Sequence, residues 1–190
     1  MDKFIAKIQS YISLSDQEIS LIKECFYIES VKAKTEILKQ GKIGNTIFYM
    51  VEGVIRGTLT DDNGDESTRW FLAEDEFYRD IESFNNRAPA VYGVQTVIDS
   101  KIIFITKEAL EPLLIIHPEA RYLIDKMGLN DLTKRSAVSA YLLRCDALTR
   151  YKYFIEKFPD IAQRVPLGQI ASYLGIAQQS LSRIRKQISL

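Results

Sequence analysis

Residues 165–187 read Val-Pro-Leu-Gly-Gln-Ile-Ala-Ser-Tyr-Leu-Gly-Ile-Ala-Gln-Gln-Ser-Leu-Ser-Arg-Ile-Arg-Lys-Gln, and no other stretch constrains the fold as tightly. Ile170, Ala171 and Leu174 share one face of a short helix. Gly175 can take the left-handed conformation that ends it. Ile176 plugs the turn, and Leu181 and Ile184 face back at helical spacing. Left outward are Gln178, Gln179, Ser180, Ser182, Arg183, Arg185 and Lys186. Gln can bond adenine through two hydrogen bonds, Arg can do the same with guanine, and Ser and Lys hold phosphates. The pattern predicts a helix-turn-helix, because core spacing, turn residue and polar face all agree. The competing reading is a helical hairpin with a solvated basic face. By position, Gln178, Gln179 and Arg183 face base edges. Ser180, Arg185 and Lys186 hold phosphates, helped by backbone donors of the helix beginning near Gln169.

The charge distribution suits that assignment. Residues 1–143 carry 17 Lys and Arg against 22 Asp and Glu, whereas residues 144–190 carry 8 against 3. An acidic body with a basic end fits a nucleic-acid partner. No apolar run nears the roughly 20 residues that a membrane helix needs. The N-terminus lacks the apolar core of a signal peptide, so the expected location is the cytoplasm, with no membrane partner. Cys25 and Cys145 are the only cysteines. They cannot make a four-thiolate cluster or a CxxC pair, and buried free thiols are expected. With one histidine, His117, the chain cannot supply the several imidazoles of a cupin metal site. No Ser-His-Asp, Cys-His or P-loop arrangement is present. Asp80 with Glu82 could do acid–base work in principle, but loop carboxylates in water account for them equally well. The expectation is a protein with no metal, no cofactor and no enzymatic activity.

The apolar period changes twice along the chain. Phe4, Ile5 and Ile8 fall at helical spacing, and Ser15 with Glu18 fits a capping box opening a second helix through Ile19, Ile22 and Phe26. Segments 26–31, 35–39, 46–52, 54–60, 67–73, 91–98 and 101–106 are then rich in β-branched and aromatic residues. Asp61-Asp62-Asn63-Gly64-Asp65 reads as a hairpin turn and lacks the ligand spacing of a calcium loop. Short strands at regular spacing predict a sandwich or barrel. Helical pattern returns over 108–116. Pro118 opens a further helix over about 119–143, roughly 37 Å long at 1.5 Å per residue. Its Leu129, Leu132, Ser136, Ser139 and Leu143 could form a dimer seam, polar in the middle, or pack on their own domain. Arg144-Cys145-Asp146 is the candidate hinge, Asp146 an N-cap for a helix carrying Tyr151, Phe154, Ile155 and Phe158, and Pro159 its stop.

Leu38-Lys39-Gln40-Gly41, the run Ile47–Ile55 and the unit Gln169–Lys186 together resemble the Crp/Fnr superfamily of bacterial regulators. The first two look like the glycine-bounded core of a cyclic-nucleotide-binding β-roll and the third like the family's DNA-reading unit. The compact size and the Ile-Ala-Ser-Tyr-Leu-Gly-Ile and Leu-Ser-Arg-Ile-Arg-Lys segments resemble the short Bacteroidetes-type members. The resemblance implies an α+β chain of three parts. Residues 1–118 are an antiparallel, jelly-roll-like β-roll sensor domain, residues 119–143 a dimerisation helix, and residues 144–190 an all-α helix-turn-helix domain. It further implies a homodimer, a double-stranded DNA operator, a small-molecule effector of unknown identity, and RNA polymerase as a further partner. A β-roll that binds a small molecule without regulating DNA remains the alternative.

The sequence departs from the family pattern in two places. Family members that bind cyclic AMP have a Gly-Glu pair and, about ten residues on, Arg followed by Ser or Thr and Ala. Here Arg79-Asp80 stands for Gly-Glu and Pro89-Ala90 for Arg-Ser, with Arg87 off register. The matching segment, including Phe77, Tyr78, Asp80, Glu82, Ser83, Arg87, Pro89 and Ala90, is the candidate effector pocket. An anion buried there needs a compensating charge. Pro89 offers neither charge nor N–H, so cyclic AMP and cyclic GMP are disfavoured as effectors, with Arg87 the one possible rescue. The expected consequence is a pocket either filled by its own side chains, with Phe77, Tyr78, Phe84 and Tyr92 as candidates, or shaped for a less anionic ligand. The second departure is the end at Leu190, which leaves a wing absent or very short.

Overall fold

A computed structural model describes residues 1–188. The capping box forms as the sequence predicts. Ser15 Oγ accepts from the Glu18 N–H, and Glu18 Oε2 accepts from the Ser15 N–H at 2.7 Å. This opens α2 (Asp16–Cys25), which follows α1 (Asp2–Gln9).

Eight strands come next, broken once by a short helix: β1 (Tyr27–Val31), β2 (Glu36–Leu38), β3 (Thr46–Glu52), β4 (Ile55–Thr60), β5 (Glu66–Leu72), β6 (Phe77–Tyr78), α3 (Ile81–Asn86), β7 (Gly93–Thr96) and β8 (Ser100–Thr106). They make two four-stranded sheets, ordered β1-β8-β3-β6 and β2-β7-β4-β5, with antiparallel pairing throughout. This is the expected roll. The Asp61–Asp65 segment is a turn between β4 and β5, its Asp61 carboxylate accepting from the N–H groups of Asn63 and Asp65.

Strand alternation sorts the side chains into two cores. Phe48, Met50, Ile102 and Phe104 point between the sheets and meet Ile55, Trp70, Leu72, Tyr78 and Val94. Their neighbours Ile47, Tyr49, Ile103 and Ile105 point to the other side. There they pack under α1, α2 and α4 (Lys107–Ile116).

Pro118 is the first residue of α5 (Pro118–Leu143), 26 residues long. Only Leu142 of this helix is buried, whereas Leu129, Leu132 and Leu143 are exposed. After a turn at 144–146 come α6 (Ala147–Lys157), α7 (Pro159–Arg164), α8 (Leu167–Leu174) and α9 (Gln178–Ile188). Asp146 caps α6, accepting from the Thr149 N–H at 2.8 Å. Pro159 ends α6 by opening α7 rather than a loop. Among the described residues no helix is both long and apolar enough to cross a membrane. Among those residues, too, no strand follows α9, and Ser189 and Leu190 lie outside them.

Candidate nucleic-acid interface and the interior of the roll

The C-terminal unit is built around Phe154, Ile170, Ala171, Leu174 and Leu181, all nearly inaccessible to solvent. Gly175 has φ +65° and ends α8 in the left-handed region, and Ile176 donates back to the Ala171 carbonyl. Arg150 completes the turn. Its Nη1 donates to the Leu174 carbonyl at 2.8 Å and its Nε to the Cys145 carbonyl at 2.9 Å. One guanidinium therefore fastens the end of α8 to the 144–146 segment. That contact joins residues far apart in sequence, and the residue pattern around Arg150 gives no sign of it.

With Leu181 buried and Ile184 half-buried, α9 turns its polar side outward. Gln178, Gln179, Ser180, Arg183, Arg185 and Lys186 are exposed, and Ser182 is half-buried at the edge of that face. Gln169 stands apart from them. Helix α8 begins two residues earlier than the sequence suggests, at Leu167 after Pro166. Gln169 lies in its first turn, half-buried, with Oε1 out of solvent.

Helix α8 docks on strand β5 of the roll. Ser172 Oγ accepts from the Thr68 N–H at 2.9 Å, and the rings of Phe71 and Tyr173 meet edge-on with centroids 5.4 Å apart. Val54 and Val97 of the roll join the C-terminal core. Arg164 on α7 grips both oxygens of Glu74 at 2.6 and 2.7 Å, and Glu74 Oε1 also accepts from the Gly53 N–H. The Arg164 guanidinium holds the Glu74 carboxyl down at about 2. This docking covers a side of α8 and leaves the polar face of α9 in solvent.

The candidate effector residues do not converge on one pocket. Tyr78 enters the roll interior, whereas its neighbour Phe77 points to the opposite side, its ring tilted against those of Tyr49 and Phe4. Asp80 caps α3, accepting from the Ser83 N–H, and Ser83 Oγ accepts from the Gly44 N–H at 2.7 Å. Glu82 Oε1 accepts from the Asn86 side chain on the surface. Arg87 has φ +56° at the end of α3, and its exposed side chain lies 3.7 Å from Glu108. Pro89 is exposed, and Ala90 is buried with its N–H donated to the Lys42 carbonyl.

The expectation that Phe77 and Phe84 fill the roll is corrected: both belong to the helix-side core. Consecutive strand residues point to opposite faces, so Phe77 and Tyr78 cannot fill one pocket together. The interior is instead filled by Phe48, Trp70, Tyr78 and Phe104. Trp70 lies so close over Gly57 that a Cβ there would come within 2.1 Å of the indole. Arg135 of α5 closes the roll, its guanidinium 4.4 Å from the Trp70 ring centroid and 5.3 Å from that of Tyr78. Asp131, one turn earlier, pairs with it. Burial lowers the pKa of Arg135 and raises that of the Tyr78 phenol. Neither Trp70 nor Arg135 is marked by a sequence motif. Gly57 inside a strand is the one available hint, since such glycines signal close approach.

His117 bridges Glu18 on α2, at 2.9 Å, and Glu119 on α5, at 2.8 Å. The Glu119 carboxylate, bonded to the ring, raises the imidazole pKa. Among the described residues no group of three or more His, Cys, Asp or Glu could hold a metal ion.

Residues 28–117 match the family of cyclic nucleotide-binding domains. No curated protein matches the chain in sequence. In structure it is similar to FixK2 from Bradyrhizobium japonicum, at 16% identity and a TM-score of 0.74 over 86% of this chain and 84% of that one. It is also similar to the c-di-GMP-responsive global regulator CLP of Xanthomonas campestris, at 16% identity and 0.68 over 92% of each chain. The catabolite activator protein of Thermus thermophilus aligns at 18% identity and 0.57, over 94% of this chain and 85% of that one. At such identities the likeness is one of fold, and the fold agrees with the resemblance read from the sequence.

Proposed function

We propose that this chain, which has the fold of the Crp/Fnr regulators, is a homodimeric, sequence-specific DNA-binding transcription regulator of the bacterial cytoplasm. The observation that carries the reading is α9. Its apolar side is buried, its start is fixed by the left-handed Gly175, and its Gln178, Gln179, Arg183 and Lys186 stand in solvent. That is the form of a helix that enters a major groove. Gln178, Gln179 and Arg183 read base edges, while Ser180, Arg185 and Lys186 hold phosphates with Ser182 beside them. Gln169, half-buried in α8, has a supporting part near the backbone.

The dimer reading rests on α5. Leu129, Leu132 and Leu143 are 63%, 54% and 76% exposed, and a second copy of the same helix would cover them. The proposed division is then 1–118 for the roll, 119–143 for the seam and 144–190 for the DNA-binding part. The filled roll argues against a cyclic nucleotide as effector. An effector would bias the spacing of the two α9 helices rather than create it.

Selection of bound duplexes from a random pool tests this directly. The expected motif is an inverted repeat with half-site centres about 10 bp apart or a multiple of it. Absence of any enriched motif, or a non-symmetric one, overturns the reading.

A further inference from the structure

The first turns of α8 and α9 meet at one point. Gly168 is the second residue of α8, and Gln178 is the first of α9. A Cβ at Gly168 would stand 2.9 Å from Gln178 Oε1 and 3.5 Å from its Cδ. The shorter distance lies inside van der Waals contact. The carboxamide of Gln178 therefore occupies the space that a side chain at 168 would take.

The fold itself has no use for a glycine here. The Gly168 backbone is helical, and positive φ among the described glycines is confined to Gly41, Gly53, Gly64 and Gly175. Apart from its own helix and its chain neighbours, Gln178 is the only described residue within 4 Å of the Cβ position. No core side chain presses on it, in contrast to Gly57 under Trp70. Glycine is less favourable in a helix than alanine. Alanine would serve the stability of α8 better, and what glycine provides is room for Gln178.

Gln178 supplies the other half of the argument. Its side chain is exposed, and among the described residues its carboxamide has no hydrogen-bond partner. A long side chain at an open helix start would otherwise spread over many rotamers. Contact with the bare α-carbon of Gly168 narrows that spread and leaves the amide donors and the carbonyl free for a base edge. A group held in its binding position loses less freedom when it binds. Gln169 does not compete for the same place, because its own Oε1 is turned out of solvent.

We infer that Gly168 is a specificity-determining position of the DNA-reading unit: it seats the Gln178 carboxamide against α8 and so aims it at one base. Gly168 is a positioning residue and acts only through Gln178. The inference rests on the reading of α9 as the helix that enters the major groove, and it locates where part of the sequence preference is set.

Selection of bound duplexes with the native chain, Gly168→Ala, Gln178→Ala and the double variant tests it. Gln178→Ala should relax preference at one base position about fivefold or more. Gly168→Ala should alter preference at that same position about threefold or more, with the other positions as in the native motif. The double variant should give the motif of Gln178→Ala, because without the carboxamide Gly168 has nothing to seat. In the free protein, the Gln178 side-chain amide resonances should move in Gly168→Ala while those of Gln179 hold. The melting temperature should not fall, since the displaced atoms are the end of a flexible side chain. A native motif that Gly168→Ala leaves unchanged overturns the inference and spares the DNA reading. An unmoved Gln178 amide or a lower melting temperature overturns it as well. So does a uniform weakening of all sequences that persists in the Gln178→Ala background, which would mean that Gly168 admits a phosphate to α8. No enriched motif with the native chain overturns both readings.

Discussion

Docking of the C-terminal helices on the roll can be weighed through one ion pair. Replacing Arg164 by Ala removes the guanidinium from Glu74 without disturbing the Glu74 contact to the Gly53 N–H. The carboxyl stands at about 2 against an ordinary 4.5. At 1.36 kcal/mol per pKa unit, this sets an upper limit of about 3 kcal/mol. The two side chains are 31% and 33% exposed, so solvent screening brings the expected loss to about 1–2 kcal/mol. The reporter is the Thr68 amide, which donates to Ser172 Oγ across the docking surface. That amide becomes free to exchange when α8 lifts off β5, without unfolding of the roll. Arg164→Ala should therefore speed hydrogen exchange at Thr68 about 5- to 30-fold at pH 7. Amides inside the roll, such as that of Ile103, should hardly change.

The pH dependence follows from the sign of the shift. A carboxyl depressed in the docked state stabilises docking fully above its undocked value, near 4.5. The contribution is lost as pH falls from about 5 toward 2. After correction for intrinsic rates, the gap between the native chain and Arg164→Ala should narrow over that range. Unchanged Thr68 exchange in Arg164→Ala at pH 7, or equal acceleration at Thr68 and Ile103, would refute the reasoning.

Other consequences can be measured as directly. Gly57→Ala forces a Cβ into the Trp70 indole, and should destabilise the roll by about 2 kcal/mol or more in urea unfolding. An unchanged midpoint would mean that Trp70 does not occupy the interior. In selection experiments, Arg183→Ala should cost about 1–3 kcal/mol and relax preference at one base position. Arg185→Ala should weaken all sequences alike and make the salt slope shallower by about one. Identical logos and slopes for the two variants would remove the division of roles. Cyclic AMP and cyclic GMP should bind with dissociation constants above about 10 μM, weaker than about −7 kcal/mol. Tighter binding that disappears in Arg87→Ala would show that arginine reaching the site after all.

What could be read from the sequence was what neighbours in the chain decide. Ser15 and Glu18 are three residues apart, and both capping bonds form. Gly175 follows Leu174, and its φ of +65° is the one that the turn requires. The two α8–α9 faces could be sorted by counting residues, and seven of the eight strands show in their composition, whereas the two-residue β6 is too short to leave a pattern. The strand period of two was enough to separate Phe77 from Tyr78, since adjacent strand residues point to opposite faces. The contents of the roll were a different matter. Trp70 reaches Gly57 only through the β4–β5 register, and Arg135 comes from a helix 65 positions further along. No local pattern marks a residue whose partner is chosen by tertiary packing.

Those hidden contacts decide what the roll can accept. A phosphate entering its interior would meet Trp70 and Tyr78 with Arg135 already over their faces. The cation is the attractive group, but it is committed to two rings and to Asp131. Drawing it away would break a partly buried cation–aromatic contact worth on the order of 1–2 kcal/mol. It would also leave Asp131 without its cation and require Trp70 to leave Gly57. Meanwhile Arg79, the residue standing for the cassette glycine, points the other way and is tied to α5 through Asp125. A ligand in the roll interior must first dismantle a packed core.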